Sequence, residues 1–320
     1  MCTLFTTGRE GEKEKLFYRS PTQKKKIKCI TSSVVSSMSG KSLIPLVFPL
    51  IIFPFPKSSS LEWAAPAPHM NAKERRNFAI KQTKAYIEGI DLEEADYGLL
   101  EFCCDRHSRL CDQKYSKTPS GGKCVLVRFT EDHDMTSQEG FEFAQWVVAK
   151  LSKLPMILWG AIPCTAGCSW HRVNRSRARK GELPNFLQKH RDIWRDFRVL
   201  FKNFVDLSKL VHNTCKHNEV AFEWPQFNDL WKNTNVRKWL DGAGLQEVCF
   251  NGCMVGVISK RGRPILKPWK VVTDSDEIVQ TFLGKKAVKD KNGKCSCGVK
   301  KHDQARGGYQ RNWLLPHTNV

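Results

Sequence analysis

The sequence predicts an α/β fold built on a mostly parallel β-sheet. Short apolar runs typical of buried strands occur at residues 97–104, 125–130, 157–162 and 220–225. Apolar residues at helical spacing occur between them, over 139–151 and 186–211. Because strands that alternate with helices usually lie parallel in one sheet, this order favours an α/β domain.

The first two strands both end in polar, partly acidic turns. A helix over residues 72–89 leads into the domain, and the strand at 97–104 carries Glu101 near its end. The strand at 125–130 is closed by the acidic run at 131–134. Between residues 131 and 157 there is room for one helix and for no further strand.

The third strand stops abruptly at Pro163-Cys164 and a turn of small residues. In open α/β sheets ligands bind outside the carboxyl ends of the strands, and a thiol fixed there can act as a nucleophile. Free cysteine is also among the most buried residue types, so a packed cysteine at a strand end is the alternative.

The second half of the domain continues with a helix, a strand and a hairpin. The helix over 186–211 carries one apolar stripe, formed by Ile193, Trp194, Phe197, Leu200, Phe201 and Phe204. The strand at 220–225 places Glu223 near its end. Residues 247–258 and 265–273 then predict two hairpin strands around a turn at 259–264.

The order of these motifs resembles C5-cytosine DNA methyltransferases. The resemblance rests on Leu100-Glu101-Phe102-Cys103, on Ile162-Pro163-Cys164 with a small residue four positions on, and on Phe222-Glu223-Trp224-Pro225. Residues 252–256 (Gly-Cys-Met-Val-Gly) and 267–269 (Lys-Pro-Trp) are similar to a divergent group that accompanies retroelements in dinoflagellate-type genomes. The resemblance covers residues 97–310. It implies a Rossmann-like class I methyltransferase sheet, mostly parallel with a C-terminal antiparallel hairpin and one strand short.

The resemblance also implies roles for individual residues. Cys164 would be the nucleophile that adds to C6 of cytosine, and Glu223 would help to protonate the ring nitrogen. S-adenosylmethionine would be the cofactor, held by Glu101, Phe102, Asp105, Glu131, Asp132 and Pro163. Glu131 or Asp132 would bind its ribose hydroxyls. Glu101 and Glu223 are equally well read as ordinary acids at strand ends.

Three departures from the family pattern keep two functions open. The turn at 103–107 has no glycine, Trp224-Pro225 replaces the usual Asn-Val, and Thr165 stands where Gln is common. Close approach of the backbone to a cofactor normally uses glycine. One hypothesis is therefore an active DNA cytosine methyltransferase. The other is a catalytically degenerate, retroelement-derived protein that binds nucleic acid.

The charge of the chain indicates a polyanionic partner. Lysine and arginine number 52 against 32 acidic residues, a formal net charge of +20, which points to nucleic acid, with DNA favoured over RNA by the resemblance. The charge concentrates at 24–26, 172–180 and 285–301. The middle cluster is predicted to be a mobile basic element that follows the Cys164 loop and supports an extruded base. A solvated basic loop is the alternative.

The residues predicted to contact nucleic acid lie in two segments. They are Trp170, His171, Arg172, Arg175, Arg177, Arg179 and Lys180 after the Cys164 loop, and Lys260, Arg261 and Arg263 at the hairpin tip. The two aromatic rings could stack on bases, and the cations could bind phosphates.

The 13 cysteines do not show the spacing of a secreted disulfide framework. No signal peptide is recognisable in the polar N-terminus, so we expect a reducing intracellular compartment, the nucleus more than the cytoplasm. Cys295 and Cys297 with His302, and with His317 as a further candidate, could form part of a zinc site. A Cys-x-Cys pair without a second pair is a weak signal, so the sequence favours a flexible basic tail.

Three regions are predicted along the chain: a disordered or loosely attached extension at 1–72, a methyltransferase-like domain at 73–283, and a basic Cys/His-containing tail at 284–320. The apolar stretch 43–55 is interrupted by three prolines and is short for a bilayer, so no stable membrane insertion is expected. A membrane-associated segment is the minority alternative. The sequence does not indicate an oligomeric state.

Overall fold

The structure is a computed structural model that describes residues 65–303, except 107, 109, 112–115, 118–120 and 260. Most of the predicted N-terminal extension lies outside the described residues. So do the apolar stretch 43–55, the predicted phosphate contact Lys260 and the candidate ligand His317.

Six strands form one mixed sheet in the order β2-β1-β3-β4-β6-β5. They are β1 (Ala95–Phe102), β2 (Lys123–Phe129), β3 (Met156–Gly160), β4 (Glu219–Pro225), β5 (Gln246–Asn251) and β6 (Pro268–Thr273). The first four strands run parallel to one another, whereas β6 runs antiparallel to both β4 and β5. The predicted α/β class with a mostly parallel sheet and a final antiparallel pair is confirmed.

The six helices of the described residues are α1 (Ala72–Glu88), α2 (Gln138–Lys150), α3 (Ser169–Arg179), α4 (Phe186–Thr214), α5 (Thr234–Ala243) and α6 (Asp276–Phe282). Polar side chains begin several of them: Asn71 forms a capping box with Glu74, and Ser137 and Ser275 accept backbone N–H groups of α2 and α6. Across the described part of the chain, no helix combines the length and the apolar character that crossing a bilayer requires.

Two sequence predictions about local structure are corrected. The segment 172–180, predicted to be a mobile basic element with a solvated loop as the alternative, is mostly helical and belongs to α3, which contains arginine and alanine, both favourable helix formers. The hairpin strands are shorter than predicted because residues after β5 turn into a 3₁₀ turn, Gly252–Val255, and only an isolated bridge joins Ile258 to Pro264.

The main core lies between one face of the sheet and helices α2, α4 and α5. Aromatic rings dominate it: the ring of Phe222 lies 4.5 Å from that of Trp224 and 5.0 Å from that of Phe204. Edge-on contacts between such rings stabilise a core beyond the area that they bury. This helical layer fixes the positions of β3 and β4 and therefore of the loops that follow them.

The opposite face of the sheet carries a smaller core. Here Leu99, Trp159, Ala221 and Val271 pack together with residues of α6. Among the described residues no helix connects β1 to β2. Cys111, from the segment that follows β1, is buried against this face, and Leu110 packs beside it.

Candidate active site

Three of the predicted site residues lie at the same edge of the sheet. Because β1, β3 and β4 are parallel, their carboxyl ends meet at one edge. Glu101 is near the end of β1, Glu223 is near the end of β4, and Cys164 follows β3 by four residues. Edges of this kind are where open α/β sheets bind ligands.

The strand register turns the two carboxylates to the same face of the sheet. Glu101 pairs with Trp159, and Trp159 pairs with Ala221. Glu223 lies two residues beyond Ala221, and side chains two residues apart in a strand share a face. The negative charge of Glu101 raises the pKa of Glu223, in keeping with this arrangement.

The Cys164 loop is fixed to the segment that follows β4. Trp224 Nε1 donates to the carbonyl oxygen of Ile162 at 2.6 Å, and Asn228 Nδ2 donates to that of Cys164 at 2.8 Å. Gly167 lies so close to this segment that an added Cβ atom would stand 2.1 Å from Asn228 Oδ1. The loop therefore holds the thiol rigidly relative to β4.

The thiol of Cys164 is partly buried, and burial raises its pKa. The ammonium group of Lys267 acts in the opposite direction, whereas Cys168 and Glu223 add to the increase. A nucleophilic cysteine reacts as the thiolate. Lys267 is therefore the cation that supports the reactive form of this thiol.

Burial and the charge of Glu101 raise the pKa of Glu223 to about 7, and Lys267 partly offsets them. A carboxyl group with a pKa near neutrality can hold a proton at physiological pH and release it to a substrate. Glu223 therefore has the electrostatics of a general acid.

Lys267 belongs to the Lys-Pro-Trp motif at 267–269, but no role was predicted for it from the sequence. Residue 267 directly precedes β6, whose antiparallel direction brings its start to the carboxyl end of β4. Burial lowers the pKa of Lys267, and the nearby Cys164 and Glu223 raise it. Its Nζ lies 3.8 Å from the centre of the Trp269 ring. Only the β4–β6 pairing reveals this position.

Glu101 is enclosed by the segment that follows β1. Its Oε1 accepts a hydrogen bond from Ser108 Oγ at 2.5 Å. Burial raises the pKa of Glu101 to about 7, opposed by the Ser108 hydrogen bond, by the charge of Arg128 and by the thiols of Cys111 and Cys104. The carboxyl group of Glu101 is therefore held by neighbouring side chains at the end of β1.

The remaining predicted cofactor residues differ in accessibility. Phe102 is fully buried between the rings of Phe129 and Phe204, so its side chain belongs to the core. The strand alternation turns it to the helical face, away from Glu101. Pro163 and Asp105 are partly exposed in the loops that follow β3 and β1.

Both acids after β2 are already engaged by a cation. Arg106 Nη2 lies 3.2 Å from Glu131 Oε1 and 2.9 Å from Asp132 Oδ2. These ion pairs are partly exposed, so each contributes little to stability and can be exchanged for another donor.

The turn after β1 adopts a glycine-like conformation without glycine. Cys103 has φ of 61°, in the left-handed region, and its side chain is buried. A residue with a Cβ atom pays about 1–2 kcal/mol for this conformation. The chain therefore makes the tight turn with a buried side chain in a conformation that glycine usually adopts.

Helix α3 carries the basic cluster beside the Cys164 loop. Trp170 is 69% exposed at its start, whereas His171 packs against α4, with its Nδ1 3.2 Å from that of His190. His171 is partly exposed, and its ring already contacts that of His190. Arg172 pairs with Asp229, and Arg177 pairs with Glu182.

The other cations of the two predicted segments are exposed. Arg175, Arg179 and Lys180 lie on the outer surface of α3 and its C-terminus. In the hairpin turn Arg263 is exposed, and Arg261 is paired with Asp303 at 3.2 Å.

A Cys/His cluster lies at the end of β5. The thiols of Cys253, Cys295 and Cys297 and a ring nitrogen of His302 are all within 4.8 Å of one another. Three of these residues were candidate ligands in the sequence, and Cys253 was missed. Cys253 is far from the other three in the sequence, so local spacing does not reveal the contact. Its place in the Gly-Cys-Met-Val-Gly motif was the one sequence feature that could have drawn attention to it.

A separate cavity of about 580 Å³ lies between α4 and α5, lined by residues such as Phe201, Lys209 and Trp239. None of its lining residues belongs to the cluster around Cys164. The candidate active site is therefore defined by its reactive groups and not by this cavity.

The chain matches no protein-family model, no curated protein and no solved structure.

Proposed function

We propose that the chain is an S-adenosylmethionine-dependent, cytosine C5-methyltransferase-like protein that acts on DNA. The observation that carries the proposal is the meeting of Cys164, Glu223 and Lys267 at the carboxyl edge of one sheet. A thiol, a carboxyl group with a raised pKa and a cation are the groups needed for nucleophilic addition to an electron-poor ring.

The sheet supports this proposal. It ends in an antiparallel pair, and only α2 separates β2 from β3, which leaves β2 at the edge. These are the features expected of a Rossmann-like class I methyltransferase sheet that is one strand short.

The reaction uses the chain's own groups as follows. The Cys164 thiolate, favoured by Lys267, forms a bond to C6 of cytosine while Glu223 gives its proton to the ring nitrogen N3. The electron pair of the C5–C6 double bond thereby becomes available at C5. When bound, S-adenosylmethionine would supply the electrophilic methyl group that C5 takes up, and would leave as S-adenosylhomocysteine. The C5 proton would then pass to solvent water, the electron pair of the C5–H bond would restore the C5–C6 double bond and expel the Cys164 thiolate, and N3 would return its proton to the Glu223 carboxylate.

Two side chains suit this cofactor. Glu131 and Asp132 accept hydrogen bonds, as ribose hydroxyls require, provided that Arg106 releases them. The buried side chain at Cys103 opposes close approach of the backbone.

The obstacle that the Cys103 side chain presents to a cofactor favours a second hypothesis. In it the chain keeps the fold and binds nucleic acid but no longer binds the cofactor. The left-handed Cys103 and the occupied acids are the observations that favour it. This catalytically degenerate, retroelement-derived protein would bind DNA or RNA through the same basic surface.

We expect the full-length chain to bind S-adenosylmethionine in a calorimetric titration and to transfer a labelled methyl group to cytosine C5 in duplex DNA. Mass spectrometry of the hydrolysed nucleosides measures the product. DNA binding without heat of cofactor binding and without labelled 5-methylcytosine would contradict the enzyme hypothesis and support the degenerate one.

The surface around Cys164 suits a nucleic acid. Trp170 on α3 and Phe227 after β4 are 69% and 77% exposed, and the ion pair between Arg172 and Asp229 joins the two segments. Exposed aromatic rings next to cations are typical of surfaces that bind unstacked bases and their phosphates.

Replacing Arg175, Arg179 and Lys180 with glutamine should weaken DNA binding and flatten its salt dependence. Each lost phosphate contact lowers the log-log slope by about 0.9, so the triple variant should lose up to about 2.7. Fluorescence anisotropy over a salt series measures this slope. A matched control replaces Lys202, Lys209 and Lys238, three exposed lysines near the α4–α5 cavity. Equal slopes for the two variants would show that α3 is merely solvated.

A further inference from the structure

The Cys/His cluster joins two segments that are distant in the sequence. Cys253 belongs to the 3₁₀ turn after β5, and Cys295, Cys297 and His302 belong to the segment that follows α6. Cys253 and Cys295 are buried, and the other two are partly exposed. All four therefore converge on a point beneath the surface.

The arrangement has the dimensions of a tetrahedral metal site. With zinc–sulfur bonds of about 2.3 Å, the sulfur atoms of a tetrahedral site lie about 3.8 Å apart. The four candidate ligand atoms all lie within 4.8 Å of one another, and Cys297 Sγ is already 3.2 Å from His302 Nε2. A small contraction would seat an ion at their centre.

The turn that carries the Cys-x-Cys pair is held by its own backbone. The Gly298 N–H donates to the carbonyl oxygen of Cys295 at 2.8 Å, and the Cys295 N–H donates to that of Val299 at 2.8 Å. Gly298 has φ of 93°, which only glycine adopts readily. The two thiols are thus presented together on a tight, preformed turn.

Hydrophobic burial does not account for the order of this segment. Between residues 284 and 302 only Cys295 is buried. A segment with so little apolar burial needs another source of folding free energy, and a bound structural metal provides it directly. Three of the four cluster residues lie in this segment, so a metal bound there would supply the missing folding free energy.

We propose that Cys253, Cys295, Cys297 and His302 form a structural zinc site. Three thiolates and one imidazole complete a tetrahedron and leave no open position for water or substrate, so the ion braces the fold and performs no chemistry. Zinc is the metal that such a sulfur-rich tetrahedral set selects.

The site braces the connection that reaches the candidate active site. Gly252, next to Cys253, donates its N–H to the carbonyl oxygen of Lys267 at 2.8 Å. At the other end, the Asp303 N–H donates to the carbonyl oxygen of Pro264 at 3.0 Å. The ion would thus clamp the segment 252–267 between β5 and the chain that follows α6. This inference holds whether or not the chain is an enzyme.

The test uses the full-length chain, expressed with added zinc and purified without chelators. Plasma mass spectrometry should find about one zinc per chain. Replacement by cobalt should give the intense visible bands of tetrahedral thiolate coordination. A wild-type chain that holds neither metal would overturn the proposal, as would a disulfide among the three cysteines in non-reducing peptide mapping.

Cys253→Ser and Cys297→Ser should each lose most of the zinc. Cys249→Ser is the matched control, because Cys249 is a partly exposed cysteine of β5 outside the cluster. Retention of full zinc by both cluster variants would overturn the assigned ligands. If either variant fails to fold, the cobalt spectrum of the wild-type chain still shows whether thiolates coordinate the metal.

Discussion

Cys164→Ser should abolish covalent trapping of the chain on DNA that contains 5-fluorocytosine. In the wild-type chain with S-adenosylmethionine, fluorine replaces the proton that must leave C5, so the bond between Cys164 and C6 persists. A serine hydroxyl is a far poorer nucleophile than a thiol at neutral pH. Denaturing electrophoresis should show a shifted adduct band for the wild-type chain and none for the variant.

Cys168→Ser is the matched control for this experiment. Cys168 ends the same 3₁₀ turn, is also partly exposed, and interacts electrostatically with the same Lys267. It should retain the adduct, because the preceding strand presents residue 164 and not residue 168. Loss of the adduct in both variants, or its absence in a wild-type chain that binds the oligonucleotide, would contradict the assignment of the nucleophile.

Glu223→Gln should slow trapping by about 10²–10⁴, the usual contribution of a general acid. Glu223 must be protonated, with a pKa of about 7, whereas Cys164 must lose its proton, and burial raises the pKa of its thiol. The wild-type rate should therefore rise with pH up to about 7 and level off above it, because the gain in thiolate offsets the loss of protonated Glu223. The variant should go on rising above pH 7, since glutamine does not titrate, and a variant that levels off at the same pH would assign the plateau to another group.

Gly167→Ala should both destabilise the fold and impair the site. Its Cβ would stand 2.1 Å from Asn228 Oδ1 and 2.6 Å from the backbone nitrogen of Leu230, too close for either to remain in place. Overpacking of this kind costs about 1–3 kcal/mol. Displacement of Asn228 would also break its hydrogen bond to the Cys164 carbonyl, so trapping should slow. Urea denaturation measures the first effect and adduct formation the second.

Gly242→Ala provides the matched control. Gly242 lies in α5 and has open space around it, so alanine should stabilise the helix by about 0.5–1 kcal/mol. A lower free energy of unfolding for Gly167→Ala and a higher one for Gly242→Ala would support the close approach of the Cys164 loop to the segment after β4. An unchanged free energy of unfolding for Gly167→Ala would show that the loop can move away from Asn228 without loss of stability.

The sequence predicted most of the elements of the sheet. The apolar runs that became β1 to β4 were recognisable because a strand buried on both faces needs continuous apolar side chains. Where these runs ended, the sequence also placed Glu101, Cys164 and Glu223 at strand ends. The parallel order of the strands then brings those ends to one edge, which is why the candidate site could be outlined before its geometry was known.

Other features could not be predicted from local patterns. The sequence did not indicate a helix for the basic segment after Cys164, and its helical state depends partly on packing against α4. Phe102 was assigned to a cofactor, but the pleat of β1 turns it into the core. Arg106 occupies the two acids after β2 although it belongs to a different turn.

The sequence by itself determined the α/β class, the strand ends and the charge, because these follow from composition and short-range periodicity. Only the tertiary structure decided the partners of those strand ends. Lys267 reaches Cys164 and Glu223 because β6 is inserted between β4 and β5. Cys253 reaches Cys295, Cys297 and His302 because the segment after α6 folds back onto the end of β5. Both contacts join residues that are far apart in the chain, and no local pattern encodes such a meeting.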